Sequence, residues 1–269
     1  MEDRDSTGNI PTANQLATHL ANKINFPNEE QKNLAKVAQY YQVVAGRTPL
    51  QQELHDIFNC DFPSGQLHSY LTSIEKPILI ITTNYDDLIE RTFSAHGLSY
   101  EVVIHTTDPS LGNNILWWQS NAPQPKRVNP KYLDIDLEHV TVIYKMHGAV
   151  VRNQPELDQY VITEDDYIDF ISRMTKRNAI PAIFAEPFQK RHFLFLGHGL
   201  YDWNLRVVLN QIEKQLRRPR NMKSWAIQYQ PSPLEQRFWQ DRGVEVYDMT
   251  IDNFIGELLN NHVSKMVSL

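Results

Sequence analysis

The chain has 269 residues, 41% apolar and 22% charged, an average soluble mix that excludes disordered and fibrous proteins and suffices for one large domain or two small ones. Its 26 Lys and Arg against 32 Asp and Glu leave a net charge of −6, the wrong sign for a protein that works by coating nucleic-acid phosphates. The single cysteine, Cys60, excludes an internal disulfide and a cysteine-only zinc site. No apolar run approaches membrane-spanning length, and the opening Met-Glu-Asp-Arg-Asp-Ser does not read as a signal peptide. A cytoplasmic protein is expected.

Residues 12–74 carry a helical pattern, with Leu16, Leu20 and Ile24 spaced by four and Leu34, Val37, Ala38 and Tyr41 on the same period. Residues 78–81, Ile-Leu-Ile-Ile, then read as a strand buried on both faces of a parallel sheet. Further short strands are expected at 102–104, 140–144, 193–196, 225–227 and 244–247, separated mostly by helical patterns. That alternation predicts a doubly wound, Rossmann-like α/β fold with a mostly parallel sheet. The expectation is a single domain over 1–269, with a helix-rich insertion at about 27–76 and an irregular one at about 106–138. The second insertion gathers Pro109, Pro123, Pro125 and Pro130 around the pair Trp117-Trp118. It reads as a surface insertion with buried tryptophans or, alternatively, as a lid or docking loop. A basic cluster, Lys214, Arg217, Arg218, Arg220 and Lys223, falls where a helix should end, a place that favours cations without a nucleic-acid partner.

Ligands of open parallel sheets bind beyond the carboxyl ends of the strands, which singles out three segments. They are Thr82-Thr83-Asn84-Tyr85-Asp86-Asp87, then Lys145-Met146-His147-Gly148, then Gly197-His198-Gly199-Leu200-Tyr201-Asp202. Each has a plain structural alternative. Asp86 or Asp87 can cap a helix, His147 can be a core histidine, and Gly197 and Gly199 can serve a turn alone. Their recurrence at one end of one expected sheet favours a site.

These residues resemble the sirtuin-like superfamily: Thr82 to Asp86 its Thr-x-Asn-x-Asp signature, His147-Gly148 its His-Gly pair, and residues 197–204 its distal nucleotide-binding turn. The wording of 85–90 and 196–204 is closest to the bacterial branch that degrades NAD in antiphage defence. The resemblance runs from Gly8 to about Leu259. It departs in two places. One cysteine cannot build the zinc ribbon of deacylating sirtuins, so deacylation is not expected and no metal site is assigned. The family's first strand and Gly-Ala-Gly phosphate loop are also not seen before Gly8, and the expectation is a start upstream of Met1 that supplies them.

The resemblance implies an NAD hydrolase that cleaves the nicotinamide–ribose bond, with NAD as substrate and Asn84 and His147 catalytic. Thr82, Thr83, Asp86, Gly148, Gly197, Gly199 and Asp202 would contact the nucleotide. The alternatives are a non-catalytic nucleotide-binding scaffold and an ADP-ribosyltransferase. The implied setting is an antiphage effector controlled by self-association or by a separate ATPase or Argonaute-like subunit, without membrane or direct nucleic-acid contact.

Overall fold

A computed structural model describes residues 9–27, 30–174, 181–197 and 223–266. Helix α1 (Ala13–Lys23) begins at a reciprocal cap in which the Gln15 amide donates to Thr12 Oγ1 and the Thr12 amide donates to Gln15 Oε1. It buries Leu16, Ala17, Leu20 and Ala21, the period read from the sequence. Helices α2 (Leu34–Ala45) and α3 (Arg47–Phe58) complete the helical part, α2 starting at Asn33, whose side chain accepts the Lys36 amide. Their apolar faces close on Tyr85, Val150, Tyr160 and Ile162, so this core lies directly against the segment that follows the first strand.

The chain divides into two units, Met1–Ser64 with Glu75–Arg173, and Gly65–Ile74 with Met174–Leu269. The first holds β1 (Leu79–Thr82), α5 (Leu88–Ala95), β2 (Tyr100–Ile104), β3 (Ile115–Gln119), β4 (Lys126–Val128), β5 (Thr141–Lys145), β6 (Gly148–Ala149), β7 (Gln159–Tyr160) and α6 (Glu164–Met174). Five of these strands form one sheet in the order β1-β5-β2-β3-β4, with β1, β5 and β2 mutually parallel. The second unit holds the short α4 (Gln66–Thr72), α7 (Ala185–Lys190), β8 (Phe193–Leu196), β9 (Ser224–Gln228), α8 (Pro233–Gln240), β10 (Val244–Asp248) and α9 (Ile251–Met266). Its strands are all parallel, in the order β10-β9-β8, over a small core of Ala226, Trp239 and Val244.

The α/β reading with a mostly parallel sheet holds, and all six expected strands are present. Three expectations change. The described strands form two main sheets rather than one, because β1 and β8 each end their own sheet. For the same reason β1 is not buried on both faces: its four residues are half-buried, with β5 as its partner. The stretch at 106–138 contains the antiparallel hairpin β3–β4, which extends the sheet from β2. Its tryptophans are half-buried, Trp117 Nε1 donating to Glu101 Oε2 (2.6 Å) and Trp118 Nε1 to the Ala122 carbonyl (2.9 Å). No helix among the described residues is long and apolar enough to cross a membrane.

Candidate active site

Parallel pairing puts the carboxyl ends of β1 and β5 side by side, Thr82 opposite Lys145. Beyond Thr82 the chain turns through 83–87 into α5, and several polar groups of that turn are tied. The Thr82 carbonyl accepts the Met146 amide at 2.9 Å, and Thr82 Oγ1 accepts the Asn84 amide at 3.1 Å. The Tyr85 carbonyl accepts the Val150 amide at 2.9 Å, and the Tyr85 hydroxyl donates to the Val161 carbonyl at 2.7 Å. Tyr85 is thereby sunk into the helical core, edge-on to Phe58 and Tyr160. Asp86 Oδ1 takes the Leu88 amide at 3.1 Å in a local turn just before α5, while Asp87 receives a forked pair of bonds from Arg152. Thr83 is half-buried and Asn84 is exposed at the tip.

The ties from Met146, Val150 and Arg152 belong to one stretch, which also carries His147. That residue is only 5% exposed. Its ring meets the edges of Tyr167 and Phe170 on α6, with centroids 5.8 and 5.4 Å away. Helix α6 is itself anchored: Asp166 Oδ2 accepts the Ile162 and Thr163 amides and an Arg47 Nη1 bond of 2.7 Å. Gly148 follows His147 with φ +90°, and a Cβ there would lie 2.0 Å from the Gln159 carbonyl oxygen. Close approach of β7 therefore dictates this glycine, whatever else it contacts.

Three residues near these strand ends, Lys145, Glu90 and His105, were given no role from the sequence. Lys145, 1% exposed, donates to the Asp86 carbonyl and lies 3.0 Å from Glu90 Oε1. Burial pushes the Glu90 carboxyl up from its usual range; Lys145 opposes the shift and Asp86 adds to it. Asp86 Oδ2 and Glu90 Oε2 are buried and meet no donor among the described residues. His105, just past β2, donates its amide to the Lys145 carbonyl at 3.0 Å and sets its ring edge-on to Phe170 at 5.1 Å. Burial, with Arg173 and His147 nearby, lowers its pKa to about 3, so the ring is neutral at physiological pH. The strand-end rule that flags His147 applies equally to His105 and would have found it.

In the second unit, Gly197 ends β8 with φ +71°, exposed, its amide donating to the Ile227 carbonyl at 3.2 Å. Gly199, Asp202 and the basic cluster up to Arg220 lie outside the described residues.

A SIR2-like domain matches residues 78–247, which begins just before β1 and ends within β10. The chain belongs to the SIR2-like domain family. It is similar to "Defense-associated sirtuin 2" of Bacillus subtilis, with 25% identity over 217 residues, 79% of this chain and 18% of the relative. It is also similar to the "NAD(+) hydrolase ThsA" of Cytobacillus dafuensis, 27% identical over 199 residues, 73% of this chain and 34% of the relative. The protein of the same name from Acinetobacter baumannii is 28% identical over 200 residues, covering 74% and 35% respectively. The chain thus spans roughly a fifth to a third of the length of these curated relatives.

Proposed function

We propose that the chain carries an NAD glycohydrolase site at the carboxyl ends of β1 and β5, releasing nicotinamide and ADP-ribose as the effector of a cytoplasmic antiphage system. The observation that carries the reading is the pinned turn: the stretch bearing His147 also holds the turn bearing Asn84, so the two are prearranged. The names of the relatives, two NAD hydrolases and a defence-associated sirtuin, support the same chemistry.

Cleavage breaks the bond between ribose C1′ and the nicotinamide nitrogen through an oxocarbenium-like state. The electron pair goes to the ring nitrogen, and nicotinamide leaves neutral without a general acid. Water then adds to C1′ and gives up a proton. Asn84, with a donor and an acceptor on one short exposed side chain, orients that water or the ribose. His147 takes the proton. Thr83 and Asp86 line the ribose side, and Thr82 and Gly148 shape the turn. An NADase that is always active depletes its host, so self-association or a separate sensor subunit completes the reading.

The test is to follow NAD, nicotinamide and free ADP-ribose by chromatography. Asn84→Ala and His147→Gln are each expected to lower turnover about 10²- to 10⁴-fold, with Asn84→Ala unfolding at nearly the wild-type temperature. Nicotinamide release without free ADP-ribose would point to transfer instead. No nicotinamide from folded protein in any assembly state would leave a nucleotide-binding scaffold.

A further inference from the structure

A lysine enclosed this completely needs a reason, since burying an ammonium is costly unless it is paired and hydrogen-bonded. Lys145 has both: Glu90 on α5 and the backbone carbonyl of Asp86. The arrangement is nevertheless uneconomical as plain scaffolding, because Asp86 Oδ2 and Glu90 Oε2 stay buried beside the one ammonium without donors among the described residues. Apolar side chains of the same volume would fill this space at no such cost. What they could not do is hold the Asp86 carbonyl, two residues past Asn84.

We propose that Lys145 is a positioning residue for the reaction: its ammonium, aimed by Glu90, clamps the Asp86 carbonyl and so fixes the turn that carries Asn84 against the stretch that carries His147. The inference rests on the NAD-hydrolase reading for its kinetic consequence, but not for its structural one. The turn has other side-chain ties, from Thr82 Oγ1, the Tyr85 hydroxyl, Asp86 Oδ1 and Arg152, and Lys145 is the side chain that holds the Asp86 carbonyl.

Lys145→Met alone strands a buried carboxylate and can fail to fold for that reason. The informative variant is Lys145→Met/Glu90→Gln, which removes both charges at nearly constant volume. It is expected to unfold close to the wild-type temperature. Amide hydrogen exchange at Asn84, Leu88 and Val150 should be about 10- to 100-fold faster, the change that follows loss of a charge-assisted hydrogen bond, with reference amides in α1 and β3 unaltered. With NAD, kcat should fall about 10- to 100-fold while KM stays within about twofold, since a displaced Asn84 loses transition-state rather than ground-state contact. Wild-type exchange at those amides in the folded double variant overturns the proposal, as does faster exchange spread evenly over the whole unit. If wild-type protein releases no nicotinamide, the hydrolase reading falls, and the exchange measurement still decides whether Lys145 holds the turn.

Discussion

The first unit contains two buried polar networks built from similar parts, and they differ in how completely they close. Around Asp158, Oδ1 accepts the Val151 amide at 2.6 Å, and Oδ2 accepts the Tyr160 hydroxyl at 2.7 Å and lies 2.7 Å from His55 Nδ1. Both carboxylate oxygens are used, and the aspartate–histidine pair, suggestive of catalysis on distance alone, joins α3 to the strand pair β6–β7. Around Lys145, two carboxylate oxygens have no donor among the described residues, beside a turn that carries an exposed amide side chain. A closed network holds a fold together, whereas an open one beside a strand end is where a fold keeps capacity for something else.

The largest effect is expected from breaking the closed network. Asp158→Ala strands a buried histidine, a tyrosine hydroxyl and an amide, and should cost about 3–5 kcal/mol in urea unfolding, with turnover per folded molecule unchanged. A stable Asp158→Ala protein that has lost turnover would reverse the assignment of the two networks. Next comes the link between them. Gly148→Ala must accept φ +90° and a Cβ against the Gln159 carbonyl, and about 2–5 kcal/mol of stability should be lost. Loss of NAD affinity at full stability would show instead that the glycine is there for the nucleotide.

The smallest effect is one of slope. Glu90 has its carboxyl raised above the ordinary 4.5 by burial, so the unfolded chain ionises it first as pH rises. The associated stability is present below 4.5 and is lost as pH climbs through the folded value. Glu90→Gln, with Lys145 and Asp86 still facing it, should lack that decline when unfolding free energies are compared over a pH series. Parallel curves for the two proteins would mean that the pair is not the titrating element.

Strand placement was legible because short runs of aliphatic and β-branched residues need no partner to be recognised. The hairpin was hidden by its surroundings. Ile115-Leu116-Trp117-Trp118 is itself a strand signal, yet the prolines and asparagines around it argue for a loop, and antiparallel pairing with β2 is a non-local fact. Asn84 and His147 stood out because polar residues directly after apolar strands are conspicuous. Lys145 stood in the same flagged segment but drew no role, because its partners Glu90 and the Asp86 carbonyl are far away in sequence and only the fold shows that it is enclosed. Gly148 was noticed as part of the His-Gly pair, and the close approach of Gln159 is a separate, non-local requirement for a glycine there.

The sheet order also has a practical consequence. The hairpin β3–β4 leaves β2 on the side away from β5, and the chain returns to β5 in parallel register with β2. Its tip, closed by the Trp118 indole on the Ala122 carbonyl, stands at the far margin of the sheet from β1. Residues can be added or deleted there while the ends that matter stay fixed, because lengthening such a loop adds little closure entropy. A peptide grafted at 121–124 as a reporter is therefore expected to leave the carboxyl ends of β1 and β5 undisturbed.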